Sequence, residues 1–412
     1  MTIAPADLKH IEAADVYKGH ALAGTLTRLG DGGTAFTYSA EYLGGGGPAV
    51  ASTLPVRPEP FVTRSGAVPA FFAGLLPEGV RLQAVIAAVK TSADDELSLL
   101  LAVAGDAVGD VIVVPAGEPP SPAGGVPNLT DPAAVSFREL FARSIDPRGS
   151  HLDRAIPGLQ EKLSDAVVSF PLRRRATPSI LKLNTPAYPR IVESEAFFLS
   201  LAQRCGFRVP RFAVIQDRNG QSGLLVERFD RTLSGGTVVR VAQEDACQFL
   251  GKWPADKYRV GINDISGRLV ELASSPQAAV LDLLCQVGFA WAIGNGDLHA
   301  KNFSLQWRPD ARVVAPSTVY DVVSTLPYPV DQHLALRIDG RDDNLQGRFL
   351  LAFAERFGIP GAVLRRRLER IIARVTESLL DIAAIGFPAD VTAKLAREIE
   401  RRLGVLGRFA ED

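Results

Sequence analysis

At 412 residues the chain exceeds one ordinary domain of about 100 to 200 residues, so two or three compact units share it. A content of 47% hydrophobic and 22% charged residues is that of a folded protein and excludes disorder beyond short linkers. The 45 Lys and Arg against 46 Asp and Glu give a formal charge of −1, which excludes holding nucleic acid by bulk charge alone.

The opening MTIAPADLKH has no basic stretch followed by an apolar one, so no secretory signal is expected. From Asp15 to about Val56, DVYKGHALAGTL and TAFTYSAEYL flank the turn-rich GDGG and read as hairpin strands. After the glycines at 44–47, FFAGLLPEGVRLQAVIAAVK returns to helical spacing, with Leu82, Val85, Ile86 and Val89 on one face. Residues 1–116 therefore predict a small α+β unit. GEPPSPAGGVPN at 117–128 is the best linker candidate and opens a segment, 117–150, of linker and connecting helix.

In 151–240, strands are expected at 166–170, 179–183, 213–216 and 223–229, with a helix at 194–205 that stops at Gly206 before Pro210. In 241–412 the spacing predicts helices at 242–250, 277–294, 344–357, 360–384 and 388–405. The apolar run 278–293 is interrupted by Asp282 and Gln286 and is short for a bilayer, so a buried helix of a soluble protein is expected and no membrane partner. Cys205, Cys247 and Cys285 stand apart among apolar neighbours. They predict buried thiols in a reducing, cytoplasmic setting, with no disulfide framework and no zinc site. A β-rich lobe followed by a helical lobe is also the order of two-lobed ATP-dependent kinases.

The densest polar segment is IGNGDLHAKNFSL, 293–305, directly after the apolar helix. Asp297 and Asn302 have the spacing of a kinase catalytic loop, in which the aspartate accepts the hydroxyl proton and the asparagine binds magnesium. In VYDVVST, Asp321 offers a second oxygen ligand for the metal. The plainer reading makes Asp297, His299 and Asn302 a hydrogen-bonded turn capping the helix, and Asp321 a turn aspartate. Upstream, SILKLN puts Lys182 on the strand face of Ile180, a costly place for an ammonium without an anion. Glu195 shares a helix face with Phe198, Leu199 and Ala202, so an ion pair with Lys182 is expected, the alternative being half-exposed charges at element ends. LLVERFDR ends a strand where a hinge for adenine would lie, and AIPGLQEKLS could fold backbone N–H groups around phosphate without being a Walker A motif.

These segments, with PGLQEKLS, ESEAFFLSLAQRCG, AQEDACQFLG and the N-terminal FFAGLLPEG and LLLAVAGDAVGD, occur in the order found in HipA-like serine/threonine kinases, which the chain resembles over most of its length. The resemblance implies an α+β, protein-kinase-like two-lobed fold with a β-rich N-terminal unit, a nucleotide-binding lobe at 151–240 and a helical lobe at 241–412. It implies ATP and Mg2+ as cofactors, Asp297 as the catalytic residue, Asn302 and Asp321 as metal ligands, and Lys182 on the phosphates with Glu195 orienting it. By the same resemblance Glu227, Arg228 and Phe229 form the adenine hinge, His299 and Lys301 lie by the phosphates, and Tyr320 lies by the nucleotide. Pro157, Gly158, Leu159, Gln160, Glu161 and Lys162 form the phosphate-side loop. Where family members commonly carry a phosphorylated serine this chain has Ala155, so modification there is not expected. The implied partners are a HipB-like helix-turn-helix antitoxin, a protein substrate in translation such as an aminoacyl-tRNA synthetase, and DNA only through the antitoxin. The rival expectations are a small-molecule phosphotransferase and a catalytically idle co-repressor.

Overall fold

The computed structural model describes residues 3–120, 128–145, 168–174, 177–234, 237–308 and 312–410. In the first unit, β1 (Ala13–Lys18), β2 (Ala21–Arg28), β3 (Thr34–Tyr38), β4 (Phe61–Thr63) and β5 (Val111–Pro115) form an antiparallel sheet in the order β4-β3-β2-β1-β5. Its inward residues, Ala14, Val16, Leu26 and Phe36, pack on Phe72, Val85, Val89 and Leu97–Leu101 from the helices that follow. The expected strand TAFTYSAEYL stops at Tyr38. The Ser39 hydroxyl accepts the Tyr42 N–H at 3.1 Å and starts the helix Ala40–Gly45, because a serine at that position satisfies an otherwise orphaned donor.

The second sheet runs β6-β7-β9-β8, built from β6 (Val168–Arg174), β7 (Thr177–Leu183), β8 (Phe212–Gln216) and β9 (Ser222–Glu227). Alternation along β7 divides its residues: Leu181 and Leu183 pack on Phe137 and Leu140, whereas Ile180 and Lys182 line a cleft on the other face. Helix Phe137–Ile145, expected as a connector, is thus the back layer of this sheet. The helix after β7 spans Ile191–Arg204 and begins before the expected 194. Its start is capped from a distance, Asn184 Oδ1 accepting the Val192 N–H at 3.0 Å.

The first half of the expected helix 242–250 is strand. Ala242–Asp245 form β12, paired with β13 (Ser304–Arg308), which in turn pairs with β14 (Val313–Pro316). Only Ala246–Phe249 are helical, started by a capping box between Asp245 and Gln248. All four β12 residues are buried, so no alternation marks them as strand in the sequence. A further hairpin joins β10 (Arg231–Ser234) and β11 (Thr237–Arg240).

Helix Pro276–Ile293 is the axis of the last lobe, packed among Ile262–Leu272, Gly347–Glu355, Gly361–Ser378 and Ala389–Leu406. It is long and apolar enough to cross a membrane, yet 72% of it is buried inside the protein core. The three cysteines are free and buried, and burial pushes each thiol up. An ionic knot ties the first unit to the second: Asp106 meets Arg228 at 3.0 Å and Arg231 at 3.3 Å, and Asp230 meets the same two guanidiniums at 2.7 and 2.6 Å.

Candidate active site

A cleft of about 330 Å³ lies where the three parts meet. Lys182 and Glu195 line it from the second sheet and its helix, Asp297, His299, Lys301, Asn302, Tyr320 and Asp321 from the helical lobe, and Gly74 and Glu78 from the first unit.

The catalytic-loop candidate is shaped by backbone chemistry at the end of helix Pro276–Ile293. Gly294, at φ 67°, takes the left-handed conformation that closes a helix, and the Asn295 N–H returns to the Ala290 carbonyl at 2.8 Å. The helix therefore closes on its own backbone before Asp297, His299 and Asn302, which form a hydrogen-bonded turn beyond its end. Asn295 Oδ1 then accepts the Asp297 N–H at 2.9 Å, and Thr325 Oγ1 accepts the Gly296 N–H at 3.0 Å. Asn302 Nδ2 donates to the Asp297 carbonyl at 2.9 Å, locking the two ends of the motif together. The Tyr258 hydroxyl donates to Asp297 Oδ1 at 2.6 Å.

Lys182 Nζ lies 2.7 Å from Glu195 Oε1 and also bonds Asp321 Oδ1. Glu195 is only 4% exposed, which removes the alternative of half-exposed terminal charges. Burial opposes the Lys182 ammonium, but the Asp321 and Glu195 carboxylates overcome it and hold the group above the usual lysine range. Burial pushes Glu195 up, and Lys182 draws it back. Asp321 sits at φ 52°, a left-handed conformation uncommon outside glycine and concentrated at functional sites.

On the opposite wall, Lys301 Nζ lies 3.0 Å from Glu78 Oε1, 3.2 Å from the Gly74 carbonyl and 3.8 Å from Asp245 Oδ2. Glu78 also bonds Lys257 Nζ. Burial raises the Glu78 carboxyl, yet Lys301 and Lys257 pull it down to about 2. His299 is 3% exposed with no hydrogen-bond partner on either ring nitrogen. Burial and the Lys257 ammonium push it down to about 3, so the imidazole is neutral. The Tyr320 hydroxyl donates to the Lys301 carbonyl at 2.6 Å, and its ring lies 5.4 Å from that of Phe229.

Of the expected hinge, Arg228 lines the cleft and Glu227 and Phe229 do not. The Glu227 and Arg228 N–H groups are spent on the Arg211 and Pro178 carbonyls at 2.8 and 3.0 Å, and the Phe229 carbonyl accepts from Gln306 at 3.1 Å. Ala155 and Pro157, Gly158, Leu159, Gln160, Glu161 and Lys162 lie outside the described residues. Sequence reasoning missed Tyr258, Lys257, Glu78 and Asp245. Each reaches the site from a distant segment, and only PEG in FFAGLLPEG gave a local signal.

Residues 154–381 match the model of the HipA-like C-terminal domain, and residues 14–114 match that of the HipA N-terminal domain. The chain belongs to the HipA family. It is 30% identical to the putative kinase Y4mE of Sinorhizobium fredii, over 94% of this chain and 98% of that one. It is 26% identical to the serine/threonine-protein kinase toxin HipA of Shewanella oneidensis, over 90% and 92% of the two chains. The fold is that of HipA in the Shewanella oneidensis complex of HipA, HipB and operator DNA, with a TM-score of 0.75 at 23% identity, covering 95% of this chain and 97% of that one. The α+β HipA-like fold expected from the sequence is therefore present, in a toxin family whose relatives carry the name kinase.

Proposed function

We propose that this chain transfers the γ-phosphoryl group of ATP, with Mg2+, to a serine or threonine hydroxyl of a protein. The observation that carries the reading is the convergence on one cleft of Lys182 paired to Glu195, Asp297 bonded to Tyr258, and the oxygen donors Asn302 and Asp321, from segments up to 139 positions apart.

The donor set suits magnesium. With its amide nitrogen on the Asp297 carbonyl, Asn302 has Oδ1 to offer a cation, and Asp321 adds a carboxylate. Among the described residues no three His, Cys, Asp or Glu side chains are placed to hold a metal ion by themselves, which fits an ion that keeps waters and phosphate oxygens as its other ligands. When bound, the metal neutralises charge on the phosphates. Asp297, fixed at both backbone and carboxylate, accepts the acceptor's hydroxyl proton. Lys182, kept oriented by Glu195, would take a phosphate oxygen in place of Asp321, whose carboxylate with Asn302 would hold the ion. Neutral His299 offers an N–H to the same phosphates. By analogy with its relatives the chain acts as the toxin beside a HipB-like helix-turn-helix antitoxin, reaching DNA only through that partner. An aminoacyl-tRNA synthetase or another cytoplasmic translation protein would be its target.

Asp297→Asn should bind Mg-ATP as the wild type does and transfer nothing, whereas Asp321→Asn should lose metal-dependent nucleotide binding. Wild-type phosphotransfer to a protein by Asp297→Asn would refute the assignment.

A further inference from the structure

Helix Gly79–Val89 of the first unit starts at the cleft, and its first turn carries an arginine. Glu78, at the N-cap, gives the helix no side-chain cap, because its carboxylate is spent on Lys257 and Lys301. Three positions on, Arg81 falls on the same helix face and lines the cleft as well. Among the described residues its guanidinium has no hydrogen-bond or ion-pair partner. A half-buried guanidinium with five donors and no acceptor is costly unless something else fills the place.

Charge accounting around it leaves a surplus. The carboxylate that acts on Arg81 is Asp106, and that group is shared: it meets Arg228 at 3.0 Å, Arg231 at 3.3 Å and Arg240 at 3.9 Å. Asp230 is taken by Arg228 and Arg231 at 2.7 and 2.6 Å, and Asp110 by Lys18 at 2.8 Å. Four guanidiniums therefore stand against the carboxylates of Asp106 and Asp230, and Arg240 Nη1 is buried without a hydrogen-bond partner. Burial pushes Arg81 down to about 10, Asp106 draws it back and Arg228 adds to the push, so the group is charged at neutral pH and lacks a counter-ion of its own.

A planar guanidinium presents paired donors that match phosphate oxygens two at a time. The helix start acts in the same sense, since first-turn N–H groups favour an anion. An anion entering the cleft meets cations from all three parts of the protein: Arg81 from the first unit, Lys182 from the second sheet and Lys301 from the helical lobe. We infer that Arg81 binds the phosphate chain of the nucleotide, a ligand contact made by the N-terminal unit itself. The inference rests on the kinase reading above and adds a binding residue to that site. Glu78 acts on the nucleotide through two lysines, whereas Arg81 touches it.

Calorimetric titration of the full chain with ATP and magnesium, with competition by adenosine for the same site, separates a phosphate contact from a structural one. Arg81→Gln should weaken ATP binding roughly tenfold or more, the scale of a hydrogen bond to a charged group, and leave the adenosine constant unchanged. Arg81→Lys should fall between wild type and Arg81→Gln, because the charge stays and the paired donors are lost. Circular dichroism melting checks the fold of each variant, and should Arg81→Gln unfold, Arg81→Lys carries the same comparison. ATP binding within about twofold of the wild type in the folded variant overturns the inference and leaves the kinase reading standing. Equal losses for ATP and adenosine overturn it too, since Arg81 would then shape the cleft without touching a phosphate. A wild type that binds no ATP overturns the kinase reading, and the inference falls with it.

Discussion

Replacing Lys182 by alanine strands a carboxyl group in the core. Glu195, 4% exposed, loses the ammonium 2.7 Å away, and the influences that remain, burial and the neighbouring Asp321 carboxylate, both push it up. The group escapes by taking a proton. Holding that proton at pH 7 on a carboxyl whose ordinary value is about 4.3 costs about 3.7 kcal/mol, which caps the penalty. A broken buried pair ordinarily costs about 3 to 5 kcal/mol, so the two limits agree. Because the folded value in the variant lies above the unfolded one, the penalty is absent below about pH 4.3, where both states carry the proton. It then grows by about 1.4 kcal/mol per pH unit until the raised folded value is reached. Urea denaturation of wild type, Lys182→Ala and Lys182→Ala with Glu195→Gln between about pH 5 and 8 separates this account from simple loss of packing. The single variant's deficit should shrink toward acid, and the double variant should recover most of it at neutral pH. A deficit that stays constant across that range, or that Glu195→Gln leaves untouched, would mean that Lys182 contributes only its methylene contacts.

Two further outcomes follow from buried charge elsewhere. Asp230→Ala leaves the Arg228 and Arg231 guanidiniums, each side chain 3% exposed, without their shared carboxylate and should cost about 3 to 5 kcal/mol in urea unfolding. A loss under about 1 kcal/mol would show that Asp106 and the nearby carbonyls satisfy both arginines. For His299, pushed down to about 3, the unfolded chain binds a proton that the folded chain refuses, so stability is lost as pH falls from about 6.5 toward 3. His299→Gln should therefore gain on the wild type as denaturation is measured at successively lower pH through that window, and a constant gap would contradict a neutral buried imidazole.

What could be read from the sequence was whatever local periodicity encodes. Alternation put Lys182 on the face opposite Leu181 and Leu183, the helical period put Glu195 beside Phe198, and a fixed spacing put Asn302 against the Asp297 carbonyl. Residues whose roles come from partners far along the chain stayed hidden. Tyr258 meets Asp297 across 39 positions and Lys257 meets Glu78 across 179, and nothing in the segment around Tyr258 and Lys257 marks either pairing. The same holds for secondary structure. β12 is buried throughout and shows no period, and the helix at Ile191 starts where it does because Asn184, just past β7, caps it. Within the expected hinge the Glu227 and Arg228 N–H groups are already engaged: a strand end offers N–H groups to a ligand only where no carbonyl has claimed them, and here those of Arg211 and Pro178 have.

The placement of Glu78 explains why the N-terminal unit is built against the cleft. Lys257 and Lys301 are both drawn to that carboxylate, and Lys301 is buried to a degree that would strongly disfavour its charge in isolation. The carboxylates of Glu78 and Asp245 hold it charged nonetheless, and burial pushes Asp245 up to about 6, which makes Glu78 the firmer anion at neutral pH. Glu78 and Asp245 together offset the two ammoniums, and Lys301 lines the cavity as a charged donor for a phosphate oxygen. Without Glu78, Lys301 would keep only the Asp245 carboxylate, 3.8 Å away, against its burial. The first unit therefore supplies part of the electrostatics of the site. The ionic knot at Asp106 and Asp230 ties the same unit to the second one, which carries Lys182.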